Sequence, residues 1–375
     1  MDFKQHNNRN ISRLGFGCMR FPLVEGSDWK IDEEKAKALL LDAYNKKVNY
    51  FDTAYPYHNR TSEEFVGRVL KTLPREEINI ATKMPINMIK NGLIEAEGIF
   101  KQQLINLQTD YIDYYLLHAI NLEGMKKSIE SGIYDFLDRK RKEGVIRNFG
   151  FSFHGYATDL DEMIGMGDFD FVQLQLNYVD YSLQNAKLSY ETVTKHNLPV
   201  MVMEPVRGGA LTTLTPEAIS IMKNYNPDAS TASWAFRWVS SLDNVLVVLS
   251  GMNDHSQLDD NIRTFSPVIK LNKDEIDILA EVTHLFLQTK SVPCTKCHYC
   301  MPCALAGIDI PTVFEIYNTY LIDHDGNKFK KEYLSLTKNG GDCVSCKRCM
   351  KACPQSINIA ENMKQIDRSA MSLNT

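Results

Sequence analysis

The sequence predicts an α/β protein, a (β/α)8 barrel of the TIM type followed by a small, mostly helical, cysteine-rich domain. Three observations carry that reading. Short runs rich in Val, Ile, Leu and Tyr alternate eight times with helical patterns over about the first 265 residues, the beat and size of a closed parallel barrel. The beat stops near residue 266. Eight of the nine cysteines then crowd into two tight runs near the C-terminus. A doubly wound open sheet is the runner-up, but no Gly-x-Gly-x-x-Gly follows the first strand, so its nucleotide signature is missing.

The strands are expected at LGFGCMRF (14–21), NYFDTA (49–54), NIATK (79–83) and YIDYYLLH (111–118). They continue at IRNFGFS (146–152), FVQLQLN (171–177), PVMVMEPV (199–206) and VLVVLSG (245–251). Amphipathic stretches such as 33–47, 92–107 and 229–242 lie between them and read as helices. Residues 272–288 read as a helix leading away from the barrel, and IPTVFEIYNTYLI (310–322) as a helix between the cysteine runs. The expected division is a barrel over 1–265, a linking helix over 266–290 and a cysteine-rich domain over 291–375. That last domain has little apolar content, so it should depend on what its cysteines bind.

The first run holds Cys294, Cys297, Cys300 and Cys303; the second holds Cys343, Cys346, Cys349 and Cys353, followed by Pro354. Three thiolates at x2 spacing wrap three corners of one cubane, while a fourth near a proline reaches a different cluster. The assignment is therefore crossed. Cys294, Cys297, Cys300 and Cys353 take one 4Fe–4S cluster, and Cys343, Cys346, Cys349 and Cys303 take the other, as in a two-cluster ferredoxin-like domain. Zinc is the plainer alternative, but structural zinc sites draw on separate C-x2-C pairs. Disulfides would need an oxidising compartment, and nothing in the chain points to one. Cys18 stands apart and reads as a small buried residue.

The 375 residues, 44% hydrophobic and 10% aromatic, can build a sizeable core. A net charge of −5 carries no nucleic-acid or membrane footprint. The first residues lack the apolar stretch of a signal peptide, and no run approaches the roughly 20 apolar residues that span a bilayer. A soluble, cytoplasmic protein is expected.

Reactive residues in such a barrel sit at the C-terminal ends of strands. Asp52 ends the second strand with Tyr57 five residues on, Lys83 ends the third, and His118 ends the fourth. Singly, each has an ordinary structural explanation; four complementary side chains at one end of the barrel point to a site. The segments FDTAYPYHNRTSEEFVG (51–67), IATK (80–83), DYIDYYLLH (110–118), GVIRNFGFS (144–152), VQLQLNY (172–178), MEPVRGGAL (203–211) and VLSGMNDHSQLDDNI (248–262) resemble the aldo/keto reductase family in order and strand position. The resemblance covers roughly residues 10–265. With the cysteine runs, the chain resembles that family's iron–sulfur-containing branch.

The resemblance implies an oxidoreductase that reduces an aldehyde or ketone with a nicotinamide cofactor, or runs the reverse alcohol oxidation. Asp52, Tyr57, Lys83 and His118 would form the catalytic tetrad. Tyr57 would deliver the proton. Lys83, held by Asp52, is expected to lower the Tyr57 pKa, and His118 to orient the carbonyl. A glutamate at the His118 position would have implied double-bond reduction instead. The resemblance also places Ser152 and Gln173 against the nicotinamide carboxamide. It sets the turn 203–209, with Glu204, Pro205, Arg207 and Gly208, along the pyrophosphate. Asp260 and Asn261 would lie near the adenine. Gly251 and Gln257 stand where NADPH-dependent relatives carry cations for the 2′-phosphate, so NADH is expected to serve at least as well as NADPH, unless the nearby Arg263 compensates. In the first run Ala304 follows Cys303, where the branch commonly has proline; this removes no ligand.

Nicotinamide exchanges two electrons as hydride, and each 4Fe–4S cluster exchanges one. A relay between them needs a converter, and a flavin is open because barrels bind flavin without a fingerprint. A redox sensor and a structural staple are the other roles. Lys296, Lys338, Lys347, Arg348 and Lys351 surround the cysteines. They are either a solvated surface or a docking patch for an acidic ferredoxin or flavodoxin. The alternative function is an electron-transfer or regulatory protein whose barrel binds nicotinamide or flavin with little turnover.

Overall fold

The computed structural model describes residues 1–183 and 185–373. It begins with an antiparallel hairpin, β1 (Phe3–His6) and β2 (Arg9–Ser12). Asn7 and Asn8 make its turn at φ 45° and 63°, the left-handed conformation that asparagine tolerates in two-residue hairpins. The barrel strands follow: β3 (Leu14–Gly17), β4 (Tyr50–Asp52), β5 (Asn79–Met84), β6 (Ile112–Ile120), β7 (Ile146–Phe153), β8 (Phe171–Gln175), β9 (Val200–Met203) and β10 (Val245–Ser250). They run in sequence order and close through β10 against β3, all parallel. Each of the eight expected strands is present at its expected place, and the open-sheet alternative is excluded by closure.

Side chains fill the barrel interior. Tyr50, Tyr114, Leu116, Phe171, Met201 and Val247 pack there, with Ile11 of the hairpin joining the same cluster. Gly15 leaves the room they need, since a Cβ there would come within 2.7–3.1 Å of Leu249, Val247 and Tyr50. The parallel register sets Gly17 beside Asp52, Lys83 beside Leu116 and Ser152 beside Gln173.

The chain divides into two compact units along lines other than those read from the sequence. The first takes Met1–Pro205 and Ala232–Leu271; the second takes Val206–Thr231 and everything from Asn272 on. The segment after β9 thus groups with the C-terminal region. Its helix Pro216–Tyr225 packs on the helix Lys273–Gln288, where Tyr225 and Asn272 exchange hydrogen bonds of 3.1–3.4 Å.

The second unit is helical among its described residues. Beyond Lys273–Gln288 it holds Ile310–Asp323, Gly326–Ser335, Arg348–Ala352 and Ile359–Ser372. It also has an apolar core of its own, built from Ile308, Val313, Phe314, Phe329, Tyr333, Met363 and Ile366. That core is larger than the composition led one to expect, because helices at both ends of the unit contribute to it. No helix of the described residues is long and apolar enough to cross a membrane.

Candidate functional site

Three adjacent strands bring the reactive side chains together. Asp52 ends β4, Lys83 lies near the end of β5, and His118 lies in the last turns of β6. Tyr57 enters from the short turn Tyr57–Arg60, which reverses direction through His58 and Asn59 at φ 49° and 52°. Lys83 has no exposed surface. Its Nζ donates to Asp52 Oδ1 at 2.6 Å, to the Thr53 carbonyl at 2.7 Å and to the Tyr57 hydroxyl at 3.3 Å, which uses all three of its hydrogens. The His118 ring stands edge-on to the Tyr57 ring, with centroids 6.0 Å apart.

Burial sets the protonation states. It lifts the Asp52 carboxyl above its ordinary range, although the Lys83 ammonium pulls the other way. It drives His118 well below the usual histidine value, helped by the Lys83 charge, so the imidazole is neutral. Tyr57 corrects the sequence-based expectation. Its phenol lies well above its ordinary value, first through burial and then through the Asp52 charge. With Lys83 committed to Asp52 and Thr53, desolvation wins. The resting phenol is therefore firmly protonated, as a proton donor must be.

One pair at this end of the barrel was missed. Arg20, just beyond β3, donates to Glu204 Oε1 at 3.0 Å, and both bear on Tyr57: Arg20 lowers its pKa, Glu204 raises it. Arg20 is the charged residue of LGFGCMRF, so the strand-end rule that found the tetrad would have found it too.

The candidate cofactor residues are placed unevenly. Ser152 is buried, and its Oγ accepts from the Ala119 amide at 2.7 Å while its own hydrogen remains available to donate. Gln173 lies next to it in register and turns Nε2 toward Met203 Sδ at 3.5 Å. Its Oε1 is buried with no partner. A buried acceptor beside a buried hydroxyl fits a primary carboxamide, which offers both an N–H donor and a carbonyl.

Glu204, ahead of Pro205, adopts φ 56°, and its carbonyl accepts from Asn177 Nδ2 at 3.1 Å. The carbon stem of Arg20 lies against Gly251, where an added Cβ would come within 3.1–3.2 Å of it. Gln257 bonds Asn253 at 2.8 and 3.1 Å. Asn261 is buried and ties its helix to β10 through Ser250 Oγ at 2.9 Å. Asp260 pairs with Arg263 at 3.2 Å, with the Arg263 side chain largely exposed.

In the second unit, Arg207 is buried with its guanidinium 5.6 Å from the centre of the Phe286 ring. Gly208, at φ 65°, rests on the backbone of Thr295. These two residues of the turn are thus engaged by the C-terminal region.

The cysteines form two quartets, each drawn from both runs. One small cavity is lined by Cys294, Cys297, Cys300 and Cys353, and another by Cys303, Cys343, Cys346 and Cys349. Ile310 and Ile359 wall both. The sulfurs stand around these spaces rather than on a common point, for among the described residues no three candidate ligands close on a single metal ion.

The two runs share a backbone pattern. Lys296 and His298 in the first, and Ser345 and Lys347 in the second, have φ between 52° and 62° at matching offsets from the leading cysteine. Such left-handed steps turn successive amides inward. Lys296 N–H lies 3.4 Å from Cys294 Sγ. Burial would raise the Cys303 thiol, but the amides of Leu305, Ala306, Gly307 and Ile308 aimed at its sulfur hold it below its ordinary value. Burial and the three other members of its quartet push Cys300 up. The same holds for Cys349. Four clustered thiols resist ionising together unless a cation shares their charge.

Of the surrounding basic residues, Lys296 pairs with Glu315 at 2.7 Å and Lys338 with Asp342 at 2.9 Å. Lys347 lines the cavity of Cys303, Cys343, Cys346 and Cys349, and Arg348 and Lys351 lie on the short helix that follows it.

Comparison with known proteins agrees with the barrel. The aldo/keto reductase family profile matches residues 13–284, ending before the first cysteine run. The NADH-specific methylglyoxal reductase of Escherichia coli is 23% identical over 316 residues, covering 72% of this chain and 94% of that protein. L-galactose dehydrogenase of Arabidopsis thaliana is 26% identical over 75% of this chain and 92% of its own. Among solved structures, the holo form of an aldo-keto reductase from Bacillus halodurans superposes with a TM-score of 0.60 at 25% identity, over 75% of this chain and 96% of that one. An aldo-keto reductase from Klebsiella pneumoniae in complex with NADPH shares the fold, with a TM-score of 0.58 at 20% identity.

Proposed function

The chain belongs to the aldo/keto reductase family, and from that premise we propose that it reduces an aldehyde or ketone with a nicotinamide cofactor and carries two 4Fe–4S clusters. The observation that supports the chemistry is the single ammonium of Lys83 joining Asp52 to the Tyr57 hydroxyl beside a neutral His118. Bound nicotinamide supplies the hydride. His118 donates an N–H to the substrate carbonyl oxygen and holds it near Tyr57. The Tyr57 hydroxyl passes its proton to that oxygen, and Lys83, 3.3 Å behind, stabilises the phenolate left there. Asp52 keeps Lys83 charged and aimed. Run backwards, the same groups oxidise an alcohol.

Ser152 and Gln173 are the residues we assign to the carboxamide, on the strength of the orphaned Gln173 Oε1. NADH should serve at least as well as NADPH. Neither Gly251 nor Gln257 is cationic.

The two cysteine quartets support the cluster assignment, since each offers four sulfurs around a cavity and inward-turned amides. Clusters held by these quartets would supply one-electron chemistry, Lys347, Arg348 and Lys351 would be the basic residues an acidic ferredoxin or flavodoxin meets, and a relay to the hydride would need a flavin as converter.

The test is Tyr57→Phe in anaerobically purified protein, assayed with NADH and NADPH across a panel of aldehydes and ketones. Carbonyl reduction should fall by about 10²–10⁴-fold with cofactor binding nearly unchanged. An undiminished rate would mean that another group delivers the proton. Tight cofactor binding without turnover by the wild-type protein would favour a regulatory or electron-transfer role instead.

A further inference from the structure

The turn assigned to the cofactor pyrophosphate is packed on the peptide that carries the first cysteines. Residues 206–231 belong with the C-terminal unit, not with the barrel strand they follow. Arg207 opens the turn with its guanidinium over Phe286, on the helix that leads into the cysteine run. Val206 O then accepts from the Gly209 and Leu211 amides at 3.0 and 3.1 Å, which closes the turn. Gly208 is its point of closest approach. A Cβ there would lie 2.4 Å from the Thr295 carbonyl oxygen and 2.7 Å from Thr295 Cα. These are backbone atoms, which cannot swing aside as a side-chain tip can.

Thr295 is itself buried, sits between Cys294 and Lys296, and lines the cavity ringed by Cys294, Cys297, Cys300 and Cys353. The peptide around it is conformationally expensive, with Lys296 and His298 both at positive φ. Thr295 thus borders the cavity on one side and Gly208 on the other.

We propose that the first cysteine quartet positions the turn at Val206–Gly209 through the Gly208–Thr295 contact, so that a filled quartet strengthens nicotinamide binding and bound nicotinamide in turn protects the quartet. The inference rests on the cofactor and cluster assignments made above. It gives the cluster a positioning role that needs no electron to pass between it and the hydride. Coupling between two binding events is reciprocal, so either side can be measured.

The readout is the rate at which anaerobically purified, cluster-loaded protein loses iron to a ferrous chelator, with and without saturating NADH. NADH should slow release from one of the two clusters about fivefold or more, the lower end of ordinary coupling. Gly208→Ala should weaken NADH binding, measured by equilibrium titration, by about tenfold and abolish the protection. Gly144→Ala is the control. It carries the same kind of backbone cost at φ 78°, yet it lies outside the turn and the quartets and its added carbon meets nothing within 4 Å, so NADH-dependent protection should survive in it. Iron release that is indifferent to NADH in wild-type protein that binds NADH overturns the inference and leaves the cofactor assignment standing. Failure of the wild-type protein to bind NADH or NADPH overturns both. Should Gly208→Ala not fold, the wild-type measurement decides alone.

Discussion

Replacing Lys83 with methionine tests the barrel-mouth cluster at its centre. Methionine is of similar length and fills irregular space readily, so the main loss is the charge. The ammonium is fully buried and satisfies Asp52, the Thr53 carbonyl and Tyr57. Without it the Asp52 carboxylate, 3% exposed and with Oδ2 already lacking a partner, becomes an unpaired buried charge. Breaking a buried pair in this way costs about 3–5 kcal/mol. Adding Asp52→Asn should recover most of that, because the double variant leaves no charge uncompensated.

The pH dependence has a definite sign. Burial already holds the folded-state Asp52 carboxyl above its ordinary value, and losing Lys83 raises it further. The folded chain then keeps a proton that the unfolded chain has released. The deficit of Lys83→Met is thus complete above the folded-state pKa and shrinks as pH falls toward the unfolded carboxyl's own value. Denaturant unfolding followed by tryptophan fluorescence measures this in the right place, since Trp29, Trp234 and Trp238 all belong to the barrel unit. A single variant as stable as wild type at neutral pH, or a double variant no more stable than the single, would refute the reasoning.

Anaerobic protein should contain close to eight iron and eight acid-labile sulfide per chain, and Cys353→Ser should damage the cluster held mainly by the first run; zinc without sulfide would end that reading. Gln257→Arg should improve NADPH affinity by about one to two powers of ten in a titration, the scale of one charge-assisted contact; a wild-type preference for NADPH above about a hundredfold on that scale would show that another cation already reads the phosphate. Turnover driven by reduced ferredoxin or flavodoxin should fall with added salt, since exposed charges are screened beyond roughly 8 Å at physiological ionic strength. Lys347→Glu, Arg348→Glu and Lys351→Glu together should slow that turnover and spare reduction by NADH, with loss of both arguing for damage to the fold instead.

The barrel was legible because its strands are buried on both faces and so read as nearly unbroken apolar runs, as in the Val and Leu of 245–249. The hairpin at its start was not read, for its four-residue strands FKQH and RNIS are short and mostly polar; only Asn7-Asn8 marked it. The crossed grouping of the cysteines was an expectation from spacing, in which three x2-spaced thiols leave a corner for a distant fourth, and the lining of the two cavities is compatible with it. The Tyr57 pKa was read in the wrong direction, because spacing shows which charges are near but not how dry their surroundings are. The attachment of residues 206–231 to the C-terminal unit leaves no local mark, since it depends on a glycine meeting a backbone almost ninety positions away.

The crossed quartets have a topological consequence. Each cavity takes three sulfurs from one run and one from the other, so with both filled the two peptides are linked like a pair of clasped hooks. A protease cut in the exposed stretch around His324 and Asp325, between the runs, would then free neither fragment. Nor can either cavity be completed by a chain still emerging from the ribosome before Cys353 has appeared for one and Cys349 for the other. Filling of either cavity would therefore follow synthesis of all the barrel residues, which end at Leu271.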